Sequence, residues 1–276
     1  MKYKFMKKIV IIGSLIFIVI SIYCLIFTYA GQKLIYDTFG GKNLHLISGE
    51  KELFWFDSWH SNNPNDPMFK RIEEKFEKFK PNLVLVEGSS DIFIGSRDES
   101  ILTGESSFTA YIAKQNNVIV KDIEPPFSDQ IAFLQTKYIP ESILAMYHIR
   151  QIGSIQKKPI DFNFNDYLIN ETQYFIDNGL NISINTLDEI LNIVNSYLPI
   201  NINSETWKNE NSVFETYNNF FKGKGVLAPI YKDIYFFRNV YLVELIKEKQ
   251  IEYNKIFIVM GGQHLIDTRD QLKSIY

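Results

Sequence analysis

Cysteine is nearly absent from this 276-residue chain: the one thiol, Cys24, falls inside a long apolar run near the start. Residues 31–276 therefore hold none, which excludes disulfides and thiolate metal sites from that part. Such a composition suits an oxidising compartment, where a stray thiol is a liability. Histidine is scarce too, with four in all, so a histidine in a patterned position carries information. Four of the 29 basic residues and none of the 32 acids precede residue 31, which leaves 25 basic residues against 32 acids, a net −7. That balance, without a basic block, argues against nucleic acid as a partner. No Pro/Ser-rich linker divides residues 31–276, a length sufficient for one sizeable domain with a buried core. The aromatics are spread throughout and read as core packing.

The start of the chain is different in kind. Lys2, Lys4, Lys7 and Lys8 precede an uncharged apolar stretch from Ile9 to Ala30. As a helix this stretch is about 33 Å long, against a hydrocarbon core of roughly 30 Å. The positive-inside rule keeps the lysines cytoplasmic and sends residue 31 onward across the membrane. The expectation is a single-pass signal anchor with an extracytoplasmic domain. A cleaved signal peptide, ending at Thr28-Tyr-Ala30, is the alternative; its apolar core usually runs only about 7–15 residues.

Beyond the anchor, strands and helices alternate. Leu44–Ile47 and Leu53–Asp57 read as a strand pair joined at Gly49. Asn65-Asp66-Pro67 offers an N-cap with proline at the first helical position, and Met68 to Lys80 places Met68, Ile72, Phe76 and Phe79 on one face. Leu83–Val86 is short, continuous and apolar, as buried strands are. Gly104-Glu105-Ser-Ser opens a second helix through Ala113, and Val118–Ile123 is the next strand. Strand–helix–strand–helix–strand predicts an α/β fold with a parallel sheet and crossover helices. From Pro126 to about Lys249 the pattern is helix after helix, over Asp129–Tyr138, Glu141–Ile155, Phe162–Asn178, Leu187–Leu198 and about Ile230–Lys249. This insert, about 127–250, is expected to cover the strand ends as a substrate-selecting lid, before a last strand at Ile256–Met260.

Four apolar runs end on an imidazole or a carboxylate. Glu52-Leu-Phe-Trp-Phe-Asp57-Ser-Trp-His60 and Lys255-Ile-Phe-Ile-Val-Met-Gly261-Gly-Gln-His264 end on histidine, and the other two end on Glu87-Gly88 and Glu124-Pro125-Pro126. In open α/β sheets ligands bind beyond the carboxyl ends of the strands. The pattern points to a shared hydrolytic or metal-binding site. Each residue also has a plainer reading. His60 fits a turn, His264 and Glu105 fit helix starts favoured by local backbone bonding or the macrodipole, and Glu124 fits a rigid turn. Arg238 fits a counter-ion to one of the glutamates. His45 and His148 lack such context and read as structural.

The ordered set His60, Glu87-Gly88, Gly104-Glu105, Glu124-Pro125-Pro126, Arg238-Asn239 and Gly261-x-x-His264 resembles the TraB family. That family sits in the wider group of TIKI-type proteases, GumN-like proteins, erythromycin esterases and ChaN-like haem-binding proteins. The resemblance spans most of residues 50–270. It implies an α/β fold built on tandem strand–helix–strand–strand units, with paired histidine motifs facing one another. TIKI-like members are metal-dependent proteases using two Gly-x-x-His motifs and a glutamate. This chain departs at one position: the first motif reads Asp57-Ser-Trp-His60, with a carboxylate where glycine would permit unusual backbone angles.

Two imidazoles with one or two carboxylates suit Zn, Mn, Co or Fe. The leading expectation is a membrane-anchored, metal-dependent, peptidase-like hydrolase acting on a peptide or small acyl substrate. His60, His264 and Glu87 are the expected ligands, with Glu124 as the alternative third. The remaining glutamate serves as general base, and Arg238 stabilises an oxyanion or clamps a substrate carboxylate. Asp57, Glu105 and Gly261 are further site candidates. A metal-free variant, resembling the erythromycin esterases, has a histidine activate water directly. From another class, the same histidine-lined cleft fits a protein that sequesters peptide or haem.

Overall fold

The computed structural model of the chain describes residues 43–88, 95–155, 162–184, 186–203, 205–207 and 211–276. The expected membrane anchor lies outside these residues; among the described residues no helix is long and apolar enough to cross a membrane. The described residues divide into two compact units, one comprising those up to residue 123 together with 246–276 and the other those of 124–245.

The first unit is α/β. Among the described residues its five strands are β1 (Leu44–Ser48), β2 (Lys51–Ser58), β3 (Leu83–Val86), β4 (Ile119–Asp122) and β5 (Lys255–Gly261). They form one mixed sheet in the order β1-β2-β5-β3-β4. β1 pairs antiparallel with β2, and every other pairing is parallel. The last strand of the sequence thus inserts between two early ones. Nothing in the local pattern of Lys255–Gly261 marks that central position except its continuous burial from Ile256 to Met260.

Alternation along the strands builds the core. Phe56 on β2, Val84 and Val86 on β3, and Phe257 and Val259 on β5 share one cluster. That cluster includes Met68, Phe69, Ile72, Phe76 and Phe79 of helix α1 (Pro67–Phe79). Asp66 caps α1 by accepting from the Met68 amide, and Pro67 sits at the start, as the sequence predicts. Helix α2 (Arg97–Thr103) is an element the sequence pattern alone did not reveal: at seven residues it is too short for periodicity to show. Its signal was the Ser96–Glu99 capping box. Helix α3 (Glu105–Gln115) follows after Gly104, whose φ of 123° only glycine adopts without strain. That turn separates the two helices and places Glu105 at the first helical position. Phe108, Ile112 and Ala113 of α3 complete the cluster.

The second unit is helical. Its helices are α4 (Phe127–Gln135), α5 (Pro140–Ile155), α6 (Phe164–Asp177), α7 (Leu187–Asn195), α8 (Asn211–Phe221) and most of α9 (Ala228–Glu252). The expected helices are present, with ends shifted by up to three residues; α7 stops at Asn195, not at Leu198, and α4 begins directly after Pro126, two residues before the expected Asp129. Ile143, Leu144, Ile149, Leu168, Phe175 and Val194 are among its buried residues. Helix α10 (Gly262–Ile275) closes the chain and packs against β2 and β5 of the first unit.

Candidate functional site

Because β2, β5, β3 and β4 run parallel, their carboxyl ends meet one edge of the sheet, as the sequence predicts. Ser58 at the end of β2 pairs in register with Gly261 at the end of β5, and Val86 pairs with Asp122. His60 and His264 thus follow adjacent strands, two and three residues past a register pair. Glu87 follows β3, with β5 lying between it and β2.

His60 is the centre of the best-defined constellation. Its Nδ1 lies 2.7 Å from Oε1 of Glu105. The Glu105 side chain is 7% exposed while that of His60 is 73% exposed, so a buried acid holds a solvent-facing imidazole. The Ser58 hydroxyl donates to the same Glu105 oxygen at 3.3 Å. His60 has φ of 31°, in the left-handed region that a side chain of this size seldom adopts. Backbone strain of this kind costs on the order of 1–3 kcal/mol and clusters at functional sites. The imidazole lies over the end of β5: a Cβ placed on Gly261 would stand 3.8 Å from His60 Nε2.

Glu105 therefore combines two readings that sequence kept apart. It is a helix-start acid, at the positive end of the α3 dipole, and it is also the partner of His60. A carboxylate accepting from Nδ1–H fixes the neutral tautomer that carries its lone pair on Nε2. It also stabilises the imidazolium that forms once Nε2 takes up a proton. This is the orienting acid–imidazole arrangement of general-base catalysis.

Asp57 faces the other way. It alternates with Ser58 along β2 and is 7% exposed. Its carboxylate packs so closely on α10 that a Cβ on Gly262 would lie 2.2 Å from Oδ1. The acid in place of the motif glycine is thus matched by a glycine at the start of α10. His264, in the first turn of that helix, is also buried, and its carbonyl accepts from the Thr268 hydroxyl at 2.7 Å.

Glu124 and Arg238 pair with each other in the helical unit, which agrees with the counter-ion reading of Arg238. Glu87 is half-buried just beyond β3. Among the described residues no three His, Cys, Asp or Glu side chains gather as a group able to hold a metal ion. The expected ligand trio of His60, His264 and Glu87 is not assembled as such a group. The structure brings together His60, Glu105, Gly261 and Ser58. Ser58 was not singled out from sequence, because a serine at a strand end carries no signal until its partner Glu105 is placed. No family model, curated protein or solved structure matches the chain significantly.

Proposed function

We propose that the α/β unit is a hydrolase of acyl bonds in which His60 activates water directly, oriented by Glu105. The observation that carries this reading is the 2.7 Å contact between the buried Glu105 carboxylate and Nδ1 of an exposed His60. In the reaction Nε2 accepts a proton as water attacks the acyl carbon, and the imidazolium later returns it to the leaving group. Ser58 holds the Glu105 carboxylate in place through its hydroxyl. The order of motifs resembles the TraB group, within which the esterase-like, metal-free chemistry fits this donor arrangement better than a metal centre does. The lysine-flanked apolar segment Ile9–Ala30 anchors the protein in the cell membrane with the rest outside.

The test is a substrate panel. The full chain, purified in detergent, is offered short peptides and small esters with and without a chelator. Turnover that survives the chelator and disappears in His60→Ala supports the reading. Turnover lost to the chelator and restored by Zn, Mn, Co or Fe returns the site to metal chemistry. Tight binding of peptide or haem without turnover of either substrate class makes the protein a sequestering one.

A further inference from the structure

The turn from β2 to α1 carries His60 with φ of 31°. A backbone conformation of that kind persists only where its surroundings over-determine it. The residue before it, Trp59, is fixed from the start of α1. The Trp59 amide donates to Met68 Sδ at 3.5 Å, and the indole Nε1 donates to Oδ2 of Asp66 at 3.1 Å. The Arg71 guanidinium lies over the same ring, 5.9 Å from its centre. On the other side of His60, the Ser61 carbonyl lies against Gly104: a Cβ placed on that glycine would stand 3.9 Å from it. Gly104 directly precedes Glu105. Both flanks of the strained residue are therefore tied to the elements around the His60–Glu105 pair.

Asp66 is 2% exposed and serves two elements at once. Its Oδ1 accepts from the Met68 amide at 2.9 Å, which caps α1. Capping needs a single acceptor oxygen, and Ser or Asn supplies it about as well as Asp does. The second oxygen, Oδ2, reaches the indole of Trp59, seven residues back in sequence. A charged acceptor makes this bond stronger than a neutral one would. The carboxylate thus clips together the two ends of the turn that displays His60. Shorter bonds brace the segment between: the Asp66 amide donates to the Asn63 carbonyl at 2.8 Å, and the Asn63 amide to the Ser61 hydroxyl at 3.3 Å.

We propose that Asp66 is a positioning residue of the site: acting through Trp59, it sets the backbone of His60 so that Nδ1 meets the Glu105 carboxylate. The His60 side chain is 73% exposed, so little packing holds the imidazole in place once its backbone moves. A turn released from Asp66 relaxes toward ordinary φ and carries the ring away from Glu105. A displacement of about 1 Å is enough to cost about 100-fold in rate. The effect on turnover rests on the reading of His60 as the base that activates water; the effect on the imidazole does not.

The test compares wild type, Asp66→Asn and Trp59→Phe, each as the full chain in detergent. Asp66→Asn keeps one acceptor for the cap of α1 and loses the second. Trp59→Phe keeps an aromatic ring and loses the indole N–H. In both, the nitrogen NMR signal of His60, identified by its loss in His60→Ala, should move from the Nδ1–H form toward a tautomer mixture. On the best substrate of the panel kcat should fall about 10- to 100-fold while KM changes by less than about threefold. The double variant should lose no more than about threefold beyond the weaker single, because both changes remove one bond. A His60 signal that stays as in wild type in both variants overturns the proposal whatever the rates, and so do losses that multiply in the double variant. Wild type that turns over no substrate defeats the hydrolase reading, and the NMR comparison still decides the role of Asp66. Trp59→Phe, which leaves the cap intact, decides it alone if Asp66→Asn fails to fold.

Discussion

The Glu105 carboxylate accepts from Nδ1 of His60 across forty-five residues of sequence, joining the start of helix α3 to the turn after strand β2. The contact is local in space only because α3 packs on the same pleat face that Ser58 ends. Glu105→Gln keeps the shape and removes the charge that selects the tautomer. It should lower hydrolysis of the best substrate in the panel by about 10²- to 10⁴-fold. Combining it with His60→Ala should add almost nothing, since the two act as a unit. A readout independent of turnover is the nitrogen NMR signature of His60, which should report Nδ1–H in wild type and a tautomer mixture in Glu105→Gln. An unchanged spectrum with unchanged turnover would reduce the pair to a surface contact.

Gly262 and Asp57 make a steric prediction. A methyl group at residue 262 would meet Asp57 Oδ1 at 2.2 Å and its Cγ at 2.7 Å, so Gly262→Ala must displace a buried carboxylate. The expected loss is about 1–3 kcal/mol of stability, the usual scale of overpacking. In the Asp57→Gly background the same change should be close to neutral, because the obstacle is gone. Gly261→Ala, whose Cβ would meet nothing closer than 3.8 Å, should be tolerated. Denaturant melts of the four proteins in this cycle measure the coupling directly. Additive effects would show that the 57–262 contact is not what demands glycine.

What sequence conveyed about this protein was mostly one-dimensional. The four strand ends carrying His60, Glu87, Glu124 and His264 were legible because short apolar runs announce strands, even where, as in the edge strand β4, the strand is only partly buried, and the four strands lie side by side in the sheet. The cap at Asp66 and the apolar stripe of α1 were legible for the same reason: both depend on neighbours within a few residues. The insertion of β5 between β2 and β3 was not, since pairing partners two hundred residues apart leave no local trace. The role of Glu105 was legible only as a helix-start acid, because its pairing with His60 is tertiary. Asp57 looked like a lesion in a motif until Gly262 appeared beneath it. The metal trio was an inference from residue types, and side-chain grouping, not type, decides whether donors can share an ion.

Topology gives the third prediction. With the basic residues of the first thirty all before Ile9, the α/β and helical units should lie outside the cytoplasmic membrane. Protease added to intact spheroplasts should digest them, and replacing the four early lysines with glutamate should reduce that accessibility. Complete protection of the wild-type domain would place it on the cytoplasmic side and remove the compartment argument drawn from its lack of cysteine.

His148 supplies the last prediction, on stability against pH. It is fully buried on α5, with Nε2 at 2.9 Å from the Thr172 hydroxyl and Nδ1 without a partner among the described residues. Burial depresses its pKa from 6.5 to about 3. The unfolded chain therefore takes up a proton as pH falls through 6.5, while the folded chain refuses it until near 3. The stability tied to a neutral His148 is complete above pH 6.5 and is lost progressively between 6.5 and 3, at roughly 1 kcal/mol per pH unit. Glutamine at this position retains an amide for Thr172 and does not titrate. The gap in unfolding free energy between wild type and His148→Gln should therefore shrink on going from pH 8 to pH 5, a window above most carboxylate titrations. The other histidines are common to both proteins and cancel in the difference. Parallel stability curves over that range would mean that the imidazole gains a proton without unfolding the helices around it, and that its burial is not maintained in solution.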